Sequence, residues 1–155
     1  MQKTLQWEIE VVINAPVAKV WSVVDDLTLI PQYHPEVETV EFVSGKTQRA
    51  AGVDYKCVIP KKRFWCVERV LEYVPEKKMS ITFPDDSLGM HKRFDHFVTD
   101  VSVETVAPNS TRVRLFAYYV PKGFILKGSN TLFLRRVMRK KALRTLEGLK
   151  RFVEK

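Results

Sequence analysis

The chain has 155 residues, of which 26 are Lys or Arg and 18 are Asp or Glu, so its formal net charge is +8. Hydrophobic residues make up 45% of it and charged residues 28%, which excludes an intrinsically disordered chain and fits one globular domain of usual size. The basic excess admits three classes of partner: nucleic acid, an anionic membrane surface and an acidic ligand.

Cysteine usage and hydropathy exclude several further classes of protein. The two cysteines, Cys57 and Cys66, are too few for a disulfide framework or a four-ligand zinc site. Both lie in apolar, strand-like runs, so we expect small buried residues of a reducing compartment rather than a cross-strand disulfide or a nucleophile. The first ten residues lack a signal-peptide core, and no apolar run approaches the roughly 20 residues that span a bilayer. These features predict a soluble cytoplasmic protein.

The N-terminal segment predicts a strand followed by two short helices. Apolar and polar residues alternate over residues 5–13, which indicates a half-buried strand. Asn14 and Pro16 then form a helix-start signal, and apolar residues recur at helical spacing over residues 17–24. A second short helix or turn is expected over residues 27–33, where flanking prolines keep it short.

The rest of the chain predicts six more strands and one long helix. The strands are expected over residues 37–44, 52–59, 63–74, 79–83, 94–106 and 111–120. Short connections between them indicate antiparallel pairing in a meander. Gly123 and Gly128 mark a loop, after which Ser129 or Asn130 caps a helix of roughly 25 residues with an apolar stripe at i, i+3, i+4 spacing.

This order of elements predicts an α+β helix-grip fold, with a single domain over residues 1–155. A seven-stranded antiparallel sheet has one apolar face to bury, and only the C-terminal helix is long enough to cover it. Because a twisted sheet curls, it should wrap around that helix and leave a cavity between them. The short helices over residues 16–33 would close one end of the cavity.

Several motifs resemble those of the START / Bet v 1-like superfamily, and especially its polyketide cyclase/dehydrase-like branch. Residues 13–21 match the pattern I-x-A-P-x-x-x-V-W, and residues 26–37 match D-x-x-x-x-P-x-x-x-P-x-V. Further similarity lies at residues 70–75 and 146–150. The resemblance covers essentially the whole chain and implies the helix-grip fold. Its members include lipid and isoprenoid carriers, aromatase/cyclases and hormone receptors, so the fold alone does not choose a function.

The sequence departs from this family between the two prolines of the second motif. Tyr33 and His34 stand there, where members often carry a tryptophan. A polar pair is therefore expected near the cavity entrance. The gates of the cavity are expected at residues 27–35 and 123–128, because segments bounded by proline or glycine can move as lids.

Aromatic residues of the elements around the cavity are the candidates for ligand binding, together with one methionine. They are Tyr33, Tyr55, Trp65, Phe83, Phe97, Tyr119, Phe124, Phe133 and Met138. Tyrosine hydroxyl groups there would orient a ligand by hydrogen bonding. Packing in the hydrophobic core is the competing interpretation of the same residues.

Acid–base catalysis has its own set of candidates. They are His34, Glu68, Asp95, His96 and Tyr119. If Phe97 and Val101 face inward, Asp95 shares their face and His96 points outward, whereas the opposite phase brings His96 into the cavity. Whether Glu68 or Arg69 faces inward is equally open, and an inward charge needs a partner. The chain has no phosphate-binding loop, nucleophile elbow or metal motif, so we expect no cofactor and no metal.

Most of the excess charge belongs to the C-terminal helix. Residues 128–155 hold nine Lys or Arg and two Glu, whereas residues 1–127 hold seventeen and sixteen. The candidates for docking on an anionic membrane or on RNA are Arg135, Arg136, Arg139, Lys140 and Arg144. A solvated helix face is the competing interpretation, and the lack of interleaved aromatic residues weakens the case for single-stranded RNA.

Together these patterns predict binding or transport of a small hydrophobic ligand, such as a lipid, isoprenoid, polyketide or aromatic compound, in the internal cavity. The alternative is a cyclase, aromatase or dehydratase that uses the same cavity. A third hypothesis is a module that docks through the basic helix on a membrane or ribosome. No obligate protein partner is expected.

Overall fold

The computed structural model describes residues 3–155, so Met1 and Gln2 lie outside it. The strands are β1 (Leu5–Ile13), β2 (Thr39–Glu41), β3 (Asp54–Ile59), β4 (Phe64–Val74), β5 (Lys78–Asp86), β6 (Phe94–Ala107) and β7 (Ser110–Pro121). The helices are α1 (Val17–Asp25), α2 (Ile30–Tyr33), α3 (Phe124–Ser129) and α4 (Arg135–Val153), with a 3-10 turn at Leu27–Leu29 and a π turn at Asn130–Leu134. Residues 124–153 are helical without interruption and are called the C-terminal helix below.

The seven strands form one antiparallel sheet in the order β1-β7-β6-β5-β4-β3-β2. Strands β2 to β7 are neighbours in the sheet as they are in the chain, and β1 joins the far edge by pairing with β7. The apolar residues of β1 alternate into the core, where Trp7, Ile9 and Ile13 are buried. The predicted α+β helix-grip fold, a curved seven-stranded sheet around a long C-terminal helix, is confirmed. The single domain over residues 1–155 stays a prediction.

Two strands differ from the expected lengths by more than two residues. Strand β5 extends through Pro84 to Asp86. The β4–β5 register is irregular between Thr82 and Asp85, and Pro84 lies at that irregularity. An irregular position of this kind tolerates a residue without a backbone N–H. Strand β2 has only three residues and lies at the edge of the sheet, so pairing on one side alone supports it.

The C-terminal helix begins earlier than expected, directly after Gly123. Residues 124–128 are therefore helical, and the expected loop over residues 123–128 was wrong. Gly123 itself has a φ of 78°, which suits glycine at the turn from β7 into the helix. Gly128 costs the helix about 1 kcal/mol relative to alanine, but a cost of this size is readily offset by tertiary packing. None of the helices within residues 3–155 has the length and hydropathy needed to cross a bilayer.

The C-terminal helix is attached to the rest of the protein at its two ends. Near its start, buried Asn130 donates from Nδ2 to Gln6 Oε1 at 3.0 Å and accepts from the Tyr119 hydroxyl at 2.7 Å. The buried residues near its end are Leu146, Gly148, Leu149 and Val153. No residue from 131 to 145 is buried. The middle of the helix is therefore packed more loosely against the core than its ends, and its apolar residues there are only partly buried.

The close approach at the far end requires glycine at position 148. A Cβ atom built there would lie 2.1 Å from the backbone carbonyl oxygen of Tyr33, the last residue of α2. A side chain of any size would push α4 away from α2, because a backbone oxygen cannot rotate aside. This contact explains the glycine of the motif at residues 146–150.

We predict that Gly148→Ala lowers the free energy of unfolding by about 1–3 kcal/mol, the usual cost of overpacking. Gly128→Ala is the matched control, because it lies in the same helix with no atom near its added Cβ. That control should gain about 0.5–1 kcal/mol from alanine's higher helix propensity. Urea unfolding of both variants measures the difference. Equal gains in the two variants would show that the approach to Tyr33 is not tight.

Candidate ligand-binding cavity

A cavity of about 420 Å³ lies between the sheet and the C-terminal helix. Its apolar wall includes Trp7, Phe83, Phe97, Val101, Met138 and Ala142. This volume falls within the range of small-molecule sites in proteins. The cavity lies beside this loosely packed part of the helix and extends to Leu146 and Leu149 near its end.

The mouth of the cavity lies between the segment after α2 and the middle of α4. Pro35 and Glu36 line it on one side and Lys141 and Arg144 on the other. Glu36 forms an ion pair with Lys62, and this partner holds the pKa of Glu36 below its usual range. The nearby Lys62 also lowers the pKa of Lys141. The mouth is therefore rimmed by charges, of which more are positive than negative.

The polar end of the cavity is built around Arg49, a residue of the loop between β2 and β3. This loop is held to α1 by backbone hydrogen bonds, including Arg49 N–H to the Asp25 carbonyl at 2.9 Å. The side chain is only 8% exposed. Its Nε and Nη2 donate to the Tyr55 hydroxyl at 3.1 and 2.9 Å, and Nη1 donates to the Val24 carbonyl.

A carboxylate completes this network. The Tyr55 hydroxyl donates to Glu68 Oε2, and both Arg49 and Glu68 line the cavity. Glu68 therefore faces inward, whereas Arg69 faces outward and pairs with Asp54 at 2.8 and 2.9 Å. A buried cation is tolerated when a carboxylate and hydrogen bonds compensate it. The Tyr55 hydroxyl lies between the two charges, because it accepts hydrogen bonds from Arg49 and donates one to Glu68.

The protonation of this network follows from its burial. Burial disfavours the charge on Arg49, but neighbouring Tyr55, Tyr33 and Glu68 outweigh it, so the pKa of Arg49 lies above its usual value. Burial raises the pKa of the Tyr55 hydroxyl well above 10, and it raises that of Tyr33 as well. Both phenols are thus protonated at neutral pH, and the cavity holds a permanent cation.

His34 is a hydrogen-bond donor to the cavity. Its Nδ1 accepts the backbone N–H groups of Glu36 and Val37, each at 3.1 Å. In the neutral imidazole the proton must then be on Nε2. Burial lowers the pKa of His34, which keeps the ring neutral near pH 7. Nδ1 is engaged by the backbone and Nε2 carries the proton, so neither nitrogen is free to act as a general base.

The structure divides the predicted aromatic set into three groups. Tyr33, Phe83, Phe97 and Met138 line the cavity, as do His34 and Glu68. Tyr55 and Tyr119 lie behind the wall. The Tyr119 ring stacks on Phe97 with centroids 4.7 Å apart, and burial raises the pKa of Tyr119 to about 12. Trp65, Phe124 and Phe133 do not line it, and the two phenylalanines are exposed to solvent.

Asp95 and His96 lie outside the cavity because of a β-bulge. The β6–β7 register shifts between Asp95 and Val98, and His96 has a φ of 53°. The phase of the strand therefore changes here, so that Phe94 and Phe97 both reach the core region while Asp95 pairs with Lys122 at 3.1 Å. The expectation that Asp95 shares the inward face of Phe97 was wrong. His96 is exposed.

Sequence patterns did not identify two groups in the cavity wall. Arg49 lies in a polar loop without periodicity, so only its contacts with α1 and β3 reveal its burial. Cys57 lines the cavity and lies directly opposite Cys66 in the β3–β4 pair. Both thiols are free, and burial raises the pKa of each. Neither is a thiolate at neutral pH, so neither is an activated nucleophile.

We predict that Arg49→Met lowers the free energy of unfolding by about 2–4 kcal/mol, less than for a fully buried pair, because it leaves the half-buried Glu68 carboxylate without its cation. The double variant Arg49→Met/Glu68→Gln should recover part of that loss, since it removes both charges. Urea unfolding of the two single variants and the double variant measures the coupling. Additive losses would mean that Arg49 and Glu68 do not compensate each other.

A second prediction concerns pH. The lowered pKa of His34 means that the folded state binds fewer protons than the unfolded state, so stability should fall as pH drops below the unfolded value of about 6.5. His34→Asn is the matched control, because Asn Oδ1 can accept the same two backbone N–H groups and does not titrate. Urea unfolding at pH about 7.5 and about 5 should show a larger loss in the wild type. An equal loss in both proteins would contradict the assignment.

Comparisons with known proteins support the fold and identify the family. A family model described as "Polyketide cyclase / dehydrase and lipid transport" matches residues 4–154. The solved structure of TTHA0849 from Thermus thermophilus is 22% identical, covering 98% of this chain and 97% of that chain, with a TM-score of 0.72. A START superfamily protein from Mycobacterium smegmatis is 14% identical over 96% of each chain, with a TM-score of 0.73.

A third solved structure has a named activity. The Zhui aromatase/cyclase from Streptomyces sp. R1128 is 16% identical, covering 99% of this chain and 94% of that chain, with a TM-score of 0.73. No curated protein matches the chain significantly. These solved structures share the fold of this chain. At sequence identities of 22%, 14% and 16% they show the fold alone and not the activity. The family model confirms the resemblance to the polyketide cyclase/dehydrase-like branch, and the chain belongs to the polyketide cyclase/dehydrase and lipid transport family.

Proposed function

We propose that the protein binds a small hydrophobic ligand with an oxygen-bearing polar end in the cavity between the sheet and the C-terminal helix. The observation that carries this proposal is the cavity of about 420 Å³, which has apolar walls and ends at buried Arg49 and half-buried Glu68. Burial of the ligand supplies about 2.5 kcal/mol for each 100 Å² of apolar surface removed from water. Affinity therefore comes from the walls and orientation from the polar end.

The polar groups define what the ligand must offer. Three of the five N–H groups of Arg49 are engaged by Tyr55 and Val24, and Nε2–H of His34 is a further donor. Glu68 Oε1 has only a weak contact with the Cys57 thiol at 3.8 Å, so it is an acceptor for a ligand hydroxyl. A carbonyl or hydroxyl oxygen at one end of an apolar body fits these groups. Lipids, isoprenoids, polyketides and other aromatic compounds meet this description.

The choice of a binder over an enzyme rests on the histidines. A cyclase, aromatase or dehydratase of this kind would use a histidine–carboxylate pair in the cavity for acid–base work. Within residues 3–155 the one histidine paired with carboxylates is His91, whose Nδ1 lies 2.7 Å from Asp86 Oδ2 and whose Nε2 lies 3.7 Å from Asp85 Oδ1. None of these three residues lines the cavity. The nitrogens of His34 are not free to take a proton. Catalysis would depend on Glu68 alone as the base, so sequestration is the better supported function.

We predict that Ala142→Phe, which fills part of the cavity from α4, weakens binding of the fluorescent probe anilinonaphthalene sulfonate by at least about tenfold, or 1.4 kcal/mol. Ala18→Phe is the matched control, because it makes the same change at an exposed position of α1 and should bind the probe like the wild type. Fluorescence titration measures both affinities. Native mass spectrometry of the purified wild type should also show a co-purifying ligand that Ala142→Phe lacks.

Two results would contradict the proposal. One is equal probe affinity in the wild type and Ala142→Phe, which would place binding outside the cavity. The other is turnover of a bound polyketide or aromatic compound that Glu68→Gln abolishes, which would make the protein an enzyme and Glu68 its base.

A further inference from the structure

The first half of the C-terminal helix exposes a group of large apolar side chains, called the apolar patch below. Its members and their exposed fractions are Phe124 (85%), Ile125 (73%), Leu132 (73%), Phe133 (57%) and Val137 (45%). Single exposed apolar residues are normal on protein surfaces, but several together mark an interaction site. None of these residues lines the cavity, so the cavity does not account for them.

The spacing of these residues makes them one surface. Ile125 and Leu132 are seven residues apart, which is about two helical turns, so they lie on nearly the same face even with the π turn at Asn130–Leu134. Phe133 directly follows Leu132, and Val137 lies one turn further along from Phe133. Phe124 precedes Ile125 at the start of the helix. The apolar patch therefore extends along roughly 20 Å of helix.

Positive charge surrounds the apolar patch. Lys127, Arg136, Arg139 and Lys140 are exposed beside it, and none of them forms an ion pair with any residue of the described chain. The sequence has no Asp or Glu between Glu104 and Glu147. From the neighbouring strand β1, Glu8 lines a cleft with Arg136 and Arg139 and is too far from them to form an ion pair. The cations of the helix thus remain available to an external anion.

We propose that the apolar patch and its cations dock the protein on an anionic lipid surface. In this arrangement the aromatic and aliphatic side chains enter the headgroup region, and the Lys and Arg side chains contact lipid phosphates. Amphipathic helices that lie in a membrane interface combine these two features, and each basic residue near an anionic surface adds to the attraction. The cations are complementary to anionic lipid headgroups, and the apolar patch selects lipid over RNA, because RNA has no apolar layer to receive Ile125 and Leu132.

The docking surface lies close to the mouth of the cavity. Lys141, which lines the mouth, is eight residues beyond Phe133 in the same helix, a distance of about 12 Å. A protein docked through this half of the helix therefore holds the mouth near the lipid. The docking itself does not depend on what the cavity contains.

Vesicle co-sedimentation tests the proposal. The full chain is mixed with vesicles of phosphatidylcholine alone, or with about 30% phosphatidylserine, in about 0.05 M and about 0.5 M salt. We expect binding to the anionic vesicles that weakens at high salt. Leu132→Ser/Phe133→Ser should lower the partition coefficient on the order of tenfold, and Arg136→Glu/Arg139→Glu/Lys140→Glu should lower it further.

Matched controls separate docking from changes in solubility or net charge. Leu71→Ser/Leu88→Ser replaces two exposed leucines outside the helix, and Lys19→Glu/Lys46→Glu/Lys77→Glu makes the same change of charge at exposed positions elsewhere. Both controls should bind anionic vesicles within about twofold of the wild type, after correction for their charge by the salt series. Circular dichroism of every variant verifies the fold.

Three outcomes overturn the proposal. The first is no binding to anionic vesicles, and the second is binding that the Leu132→Ser/Phe133→Ser variant retains in full. The third is tighter binding to an RNA homopolymer than to the vesicles at the same salt, which would assign the cations to nucleic acid. Loss of probe binding in Ala142→Phe without loss of vesicle binding would support the proposal, because it would show that the docking surface and the cavity are separate sites.

Discussion

The attachment of the C-terminal helix at its two ends is the constraint on which the rest of this structure depends. The side chain of Asn130 is hydrogen-bonded to Gln6 and Tyr119 at one end, and Gly148 lies against the Tyr33 carbonyl at the other. Between these points the helix has no buried residue from 131 to 145. Protein interiors are normally filled to crystal-like density. Here the helix packs loosely against the curved sheet between its two attached ends, and the side chains leave space between them. The cavity follows from this geometry.

The polar end of the cavity shows how a charge is placed in apolar surroundings. Arg49 is stabilised by Tyr55, the Val24 carbonyl and the carboxylate of Glu68, and these contacts also tie the loop before β3 to α1 and the sheet. These hydrogen bonds hold the network in place, because moving a member would leave further buried polar groups unpaired. The donors and acceptors that face the cavity are therefore positioned before a ligand arrives, which lowers the cost of binding.

One helix serves two surfaces because of its 3.6-residue period. Met138 and Ala142 line the cavity, whereas Leu132 and Phe133 project into solvent among arginines and lysines. The proposed binding site and the proposed lipid-docking surface thus share a rigid element, and the mouth lies between them. A carrier that exchanges a hydrophobic ligand with a membrane would need this arrangement, since the ligand avoids water only if the mouth is close to the lipid.

Periodicity in the sequence determined the seven strands, the long helix, their order and hence the helix-grip fold, because alternation and helical spacing are local properties of the chain. The apolar stripe of the long helix also indicated the inward face of Met138, whereas periodicity left the side of Phe97 open. Only the tertiary structure decided that Arg49 is buried, since a polar loop has no period and its burial depends on α1 and β3. Likewise, the bulge at His96 reversed the side of Asp95, and the packing of the C-terminal helix against the sheet left Phe124 and Phe133 in solvent. A sequence pattern shows which residues share a face, whereas the neighbours that cover that face are distant in the chain.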